Sequence, residues 1–179
     1  MTKRPIAAII LAAGKGTRMK SDLHKVLHPI AGQPMLLRLI DSFGAAGTSR
    51  SVVVAGVGRE QLATGVAARD VTIEALTDFD GIVIVCFGDT PFLAAATITG
   101  LVERLEAKDA PRVVVLGFRP DDPKAYGRII AGTDGSIAKM VEYKDASDAE
   151  RAVNLCNSGV TAVRAADLWP LLARVGNDN

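Results

Sequence analysis

Cysteine and histidine are nearly absent from the 179 residues: two of each, Cys86 and Cys156, His24 and His28. The cysteines lie far apart among apolar neighbours, a pattern that predicts buried, reduced thiols of a cytosolic protein in preference to a disulfide. Neither pair shows the CxxC or HExxH spacing of a metal site. No charge of one sign dominates. Lys and Arg number 21 against 20 Asp and Glu, for a formal net charge of +1. That balance argues against a general binder of nucleic acid or of a membrane surface and leaves room for a local basic pocket. No apolar stretch approaches the length that spans a bilayer. The start, MTKRPIAAIILAAGKG, opens with basic residues like a secretory leader, but its apolar run is short and meets a Gly-Lys-Gly turn instead of a cleavage site. A first buried strand and a cytoplasmic address are the expectation. Internal repeats and low-complexity linkers are also lacking.

What is present is apolar and periodic. The composition is 49% hydrophobic and 23% charged, ordinary for a chain long enough to bury one core. Ile6–Leu11, Ser51–Val54, Gly81–Phe87 and Arg112–Gly117 are continuous apolar runs, as strands covered on both faces require. Between them Pro34 opens a helical stripe of Leu36, Leu39, Ile40 and Phe43 that Gly44 and Gly47 end. A second stripe, Leu93, Ile98, Leu101, Val102 and Leu105, is predicted to start near Pro91. Strand-helix alternation predicts an α/β fold with a doubly wound sheet. Arg119–Gly127 reads as a loop. Arg128–Ala131 and Ile137–Val141 read as a hairpin around Thr133-Asp134-Gly135. Val160–Val163 is a further strand and Ala165–Val175 a closing helix. One domain, 1–179, is expected.

Three places carry polar groups suited to chemistry. LAAGKGTRMKSDLHKVL, residues 11–27, follows the first strand, where open α/β sheets bind ligands. Its glycines expose backbone N–H groups, and Lys15, Arg18, Lys20 and Lys25 add positive charge, so it reads either as a polyphosphate cradle or as an ordinary Gly-rich turn. Asp89, in Phe87-Gly88-Asp89-Thr90-Pro91, ends a central strand. It suits a Mg²⁺ ligand beside phosphates, the N-cap of the helix expected from Pro91, or both. Tyr126-Gly127-Arg128, Glu142-Tyr143-Lys144-Asp145 and Asn157-Ser158-Gly159 offer a glycine backbone, a carboxylate and an amide to sugar hydroxyls and an acetamido group. Each also makes an ordinary turn or surface pair.

In combination, LAAGKGTRM, DLHKVLHPIAGQPML, EQLATG, GDTPF, AYGRI, VEYKDA, NSGV and NDN stand in the order found in bacterial N-acetylglucosamine-1-phosphate uridylyltransferases. Over nearly its whole length the chain resembles the pyrophosphorylase domain of that bifunctional enzyme, within the sugar-nucleotidyltransferase family. The resemblance implies a Rossmann-like fold with a mixed, mainly parallel sheet. It implies a Mg²⁺-dependent cytoplasmic enzyme of peptidoglycan precursor synthesis that joins UTP and N-acetylglucosamine 1-phosphate, with neither nucleic acid nor membrane as partner. By position, Leu11, Ala12, Ala13, Gly14, Lys25 and Thr64 would hold the nucleotide, with Arg18 and Lys25 as the catalytic cations. Asp89 would bind Mg²⁺, and Gly127, Glu142 and Asn157 the sugar phosphate.

The sequence departs from that pattern in places. Between Val54 and Glu60 the family carries a helix and a strand with a uracil-reading Gln, where this chain has only AGVGR. Ala63 replaces a glycine, and Val66 stands near an expected histidine. The chain ends at Asn179 before a GEYYLTD segment and a later metal-ligating Asn, and lacks the β-helix acetyltransferase domain. A truncated domain is the expectation, with oligomers if the acetyltransferase domain follows. A nucleotidyltransferase for another sugar phosphate or for molybdopterin, and a non-catalytic nucleotide-binding paralogue, are the alternatives.

Overall fold

A computed structural model describes residues 4–14, 16, 19–69, 71–72 and 78–176. The chain packs as two compact units, one of Met1–Val114 with Thr161–Asn179, the other of Val115–Val160. In the first unit the apolar run after Pro5 forms β1 (Ile6–Ala12). A small hairpin, β2 (Pro29–Ile30) with β3 (Gln33–Pro34), leads into helix α1 (Met35–Ala45), then β4 (Arg50–Ala55), α2 (Arg59–Val66) and β5 (Val71–Thr72). β6 (Ile82–Phe87) and α3 (Ala95–Leu105) follow. β7 (Val113–Phe118) carries the chain from the first unit into the second.

β1 is the spine of the first unit. It runs parallel to β4 on one side, Ala7 opposite Arg50 through Ala12 opposite Ala55, and parallel to β6 on the other, Ile6 opposite Ile82 through Leu11 opposite Phe87. β5 extends the β4 side in parallel. The closing strand, β10 (Cys156–Arg164), contributes Thr161–Arg164 antiparallel to β6. The sheet is therefore mixed and mainly parallel, as the continuous apolar runs predicted.

Helices cover both faces. Ala7, Val52, Val83 and Val163 pack against Ala165 and Leu168 of the last helix, α5 (Ala165–Leu172). Residues of opposite parity, including Ala8, Ile10, Val53 and Ile84, are equally buried, so the other face is closed as well, by the touching helices α1 and α3. α1 buries the predicted stripe of Leu36, Leu39, Ile40 and Phe43. Each such side chain contributes about 1.5–3 kcal/mol by leaving water. The helix stops where Gly47 turns to φ +81° and the Thr48 N–H caps the Phe43 carbonyl at 3.1 Å. Cys86 and Cys156 are buried and free, and burial pushes the Cys86 thiol up to about 12. No helix among the described residues is long and apolar enough to cross a membrane.

The second unit holds the predicted hairpin, β8 (Arg128–Ala131) and β9 (Ile137–Val141), with a bulge at Ile130/Ala131. After it come α4 (Asp148–Arg151), started by a Ser147–Glu150 capping box, and the first residues of β10, Cys156 opposite Arg128.

Two expectations are corrected. α3 begins at Ala95, not near Pro91, because the Leu93 N–H closes a turn on the Thr90 carbonyl and Ala94 is extended, with φ −72° and ψ 147°. Asp89 is therefore not a helix N-cap. The closing strand starts at Cys156 rather than Val160. Asn157-Ser158-Gly159 lies inside it, with Gly159 at φ +76° and its N–H donated to Asn157 Oδ1 at 2.9 Å.

Candidate active site

In the first unit the predicted nucleotide-holding residues sit where β1 leaves the sheet. Ala12 is buried, and Ala13 and Gly14 are exposed. The Gly88 N–H donates to the Leu11 carbonyl at 2.9 Å, which ties this turn to the one after β6. Gly16, at φ +63°, has room only for hydrogen, since a Cβ there would stand 2.5 Å from Cβ of Lys25. Lys25 opens a short 3₁₀ turn whose next residues, Val26 and Leu27, are buried. Those anchors fix the backbone and leave the lysine side chain 38% exposed. Its Nζ donates to Asp89 Oδ2.

An ion pair this exposed contributes about 0–1 kcal/mol to folding. Its consequence is positional: an ammonium and a carboxylate are held together at the carboxyl ends of β1 and β6. Arg18 and Lys15 lie outside the described residues. Thr64 is elsewhere on the unit. Its hydroxyl donates to the Glu60 carbonyl of its own helix at 3.0 Å, and the open apolar cleft it lines with Leu23, Leu27 and Pro34 includes none of residues 11–14.

In the second unit the three predicted sugar-phosphate residues do converge. Gly127, Glu142 and Asn157 line one cavity of about 90 Å³ together with Arg128, Met140 and Val141. The Asn157 N–H donates to the Gly127 carbonyl at 2.9 Å. A Cβ on Gly127 would come within 3.3 Å of Glu142 Oε1, so the glycine keeps the carboxylate's side of the cavity open. The Asn157 side chain uses its oxygen on the Gly159 N–H, which orients the amide and leaves its NH₂ to donate.

Residues 8–80 match the MobA-like NTP transferase domain. The bifunctional protein GlmU of Rhizorhabdus wittichii is 56% identical over 196 aligned positions, covering all of this chain and 43% of that protein. GlmU of Novosphingobium aromaticivorans is 54% identical, covering 98% of the chain and 42% of that protein. Over essentially its whole length the chain is similar to part of these GlmU proteins. Among solved structures, UDP-glucose pyrophosphorylase complexed with UDP-glucose shares the fold, with a TM-score of 0.72 at 15% identity, over 98% of this chain and 82% of that one. The chain thus spans under half the length of the GlmU relatives it matches. The 196 aligned positions exceed its 179 residues, so the Rhizorhabdus protein carries positions that it lacks.

No group of three His, Cys, Asp or Glu that could hold a metal occurs among the described residues. Asp89 is a single carboxylate. That suits Mg²⁺, which takes one or two protein carboxylates and fills its shell with water and substrate phosphates.

Sequence reasoning missed one polar anchor. Gln61 clamps the loop before Lys25, accepting from the His24 N–H at 2.8 Å and donating to the Asp22 carbonyl at 3.0 Å. His24 itself is buried, with neither ring nitrogen in a hydrogen bond of good geometry. Burial lowers its pKa, partly opposed by the nearby Ala12 backbone, so the ring is neutral at pH 7. An anchor of this kind leaves no sequence signal, because its partners are set by folding rather than spacing.

Proposed function

We propose that this chain transfers UMP from UTP to N-acetylglucosamine 1-phosphate, forming UDP-N-acetylglucosamine for peptidoglycan synthesis and releasing pyrophosphate. The observation that carries the reading is the cavity shared by Gly127, Glu142 and Asn157, three residues 30 positions apart end to end that the family resemblance assigns to one ligand. The Lys25–Asp89 pair at the end of β1 supports the nucleotide half of the reaction.

In this mechanism no covalent enzyme intermediate is needed. An anionic oxygen of the sugar phosphate forms the new bond to the α-phosphorus as the bond from that phosphorus to the bridging oxygen of pyrophosphate breaks, in line. The electron pair leaves with pyrophosphate, and no proton has to move. Lys25 neutralises charge on the α-phosphate, joined by Arg18 in the proposal. Glu142 and the Asn157 amide orient the sugar through its polar groups. Asp89 would hold Mg²⁺, which supplies charge neutralisation on the phosphates when bound. Catalysis of this kind is positioning plus electrostatics.

A coupled assay of pyrophosphate release tests the proposal, run with UTP, CTP, GTP, ATP and dTTP against N-acetylglucosamine 1-phosphate in Mg²⁺. Release that needs the sugar phosphate and is fastest with UTP is the expected result; no release with any nucleotide would sink the proposal. A second reading, a nucleotidyltransferase of broader base preference, is favoured by one feature. β4 is joined to α2 by only Gly56, Val57 and Gly58, and the Thr64 hydroxyl is engaged within its helix. Comparable release with UTP and CTP would support it.

A further inference from the structure

We propose that Arg128 is the positioning residue of the Gly127–Glu142–Asn157 cavity, a single buried guanidinium that holds together the three segments supplying those residues. The proposal rests on reading that cavity as the sugar-phosphate site.

Arg128 is the first residue of β8 and is 1% exposed. Its fork reaches into the loop that ends at Gly127. Nη2 donates to the Lys124 carbonyl at 3.1 Å and Nη1 to the Tyr126 carbonyl, with a longer contact of 3.4 Å from Nη1 to the Pro123 carbonyl. Nε reaches the Arg151 carbonyl at 3.4 Å, and Nη1 lies 3.9 Å from Cys156 Sγ. The guanidinium stands over the Tyr143 ring, 5.5 Å from its centre, a distance at which a cation is attracted to an aromatic face. Each pocket residue thus has a chain neighbour in contact with this one cation. Gly127 precedes Arg128 itself, Glu142 precedes Tyr143, and Asn157 follows Cys156.

The chemistry requires arginine. Carbonyl oxygens from Pro123, Lys124 and Tyr126 converge on one point, and without a cation between them their dipoles repel. Lys124 adopts φ +39°, unusual for a side-chain-bearing residue, in the segment whose carbonyl Arg128 takes. A planar fork of five N–H groups on three nitrogens can reach acceptors on several sides at once; the three donors of a lysine, on one atom, cannot. Since main-chain carbonyls occupy the fork, Arg128 acts through the residues it holds and not by gripping the ligand. Without it, the loop is free to spread and Gly127 to drift from Glu142.

Arg128→Lys and Tyr143→Leu, made in the 179-residue chain, test this by three measurements. One is calorimetric titration with N-acetylglucosamine 1-phosphate and, separately, with UTP and Mg²⁺. Another is hydrogen exchange of the amides of residues 124–127, 142 and 143. The third is steady-state kinetics. For Arg128→Lys the expected result is sugar-phosphate affinity at least 30-fold weaker and a KM for that substrate raised in step. UTP affinity should stay within twofold and kcat within about threefold, while exchange at 124–127 speeds at least tenfold and exchange in β1 and β6 is unchanged. For Tyr143→Leu a three- to tenfold loss of sugar-phosphate affinity is expected. An Arg128→Lys protein with wild-type affinity and exchange overturns the proposal. Should that variant not fold, a Tyr143→Leu protein with wild-type affinity and exchange overturns it instead. A wild-type chain that binds no sugar phosphate contradicts the functional reading alone, and the exchange measurement then decides the positioning role by itself.

Discussion

In the first unit the charged residues of the site are at the surface and hold each other. Lys25 and Asp89 keep about a third of their side chains in water, 38% and 35%, and form an ion pair. In the second unit the cation of the site is buried, and Arg128 faces carbonyls instead of a carboxylate. The difference separates two ways of preparing for an anion. A half-exposed pair is cheap to open, so its ammonium can exchange a carboxylate for a phosphate when the ligand arrives. A buried guanidinium ringed by carbonyls is costly to disturb, so the cavity beside it is formed before the ligand enters. On the proposed function, the first unit's ion pair is assembled with its ligand, and the second unit's cavity is assembled by folding.

Substitutions can break this contrast. The largest effect is expected for Lys25→Ala, which removes the cation aimed at the α-phosphate: a fall in kcat/KM of about 10²–10³-fold, typical of losing one charge-stabilising donor, with folding unchanged. Steady-state kinetics with circular dichroism would check both halves. Asp89→Ala should abolish the Mg²⁺-dependent part of UTP binding in calorimetry while sugar-phosphate affinity holds. Unchanged Mg²⁺-dependent binding would support a non-catalytic nucleotide-binding domain. Gly127→Ala should act on the other unit. Its Cβ, 3.3 Å from Glu142 Oε1, narrows a cavity of about 90 Å³, and crowding of this kind costs about 1–3 kcal/mol. A roughly tenfold higher KM for the sugar phosphate is expected, with the UTP KM unaltered.

The smallest effect is a titration. In the second unit the Lys139 ammonium, with the Ser147 backbone and hydroxyl, holds the Glu150 carboxyl down to about 2. Because the folded value lies below the ordinary 4.5, the stability this carboxylate contributes is present above about pH 4.5 and is lost as the pH falls toward 2. Lys139→Ala should raise the value seen by NMR toward the ordinary one, and the α4 capping box should then open at a higher pH.

The parts of the fold that the sequence announced are those built on local signals. β1, β4, β6 and β7 fall within one residue of their predicted runs; the first three are parallel strands of the core, which are apolar throughout, whereas β7 has no buried residue. The hairpin formed where Asp134-Gly135 predicted its turn. α5 stops at Leu172, short of the expected Val175, with Pro170 already inside it. The start of α3 and the full length of β10 were not legible, because each turns on a side-chain or turn hydrogen bond that competes with regular structure. Motifs singled out Lys25 and Asp89 in the first unit and Gly127, Glu142 and Asn157 in the second, and within each unit the structure brings them together. The burial of Arg128 left no trace, since its partners are main-chain carbonyls that any residue could provide. Thr64 lies on a helix that packs beside the loop before Lys25 through Gln61.

³¹P NMR of the chain incubated with UTP, N-acetylglucosamine 1-phosphate and Mg²⁺ shows whether it joins a nucleotide to a sugar phosphate. The monoester signal of the sugar phosphate should give way to the paired diester signals of UDP-N-acetylglucosamine and to pyrophosphate in equal amounts. Substrate signals that stay unchanged, or UTP decaying to inorganic phosphate with the sugar phosphate untouched, would contradict the proposed function.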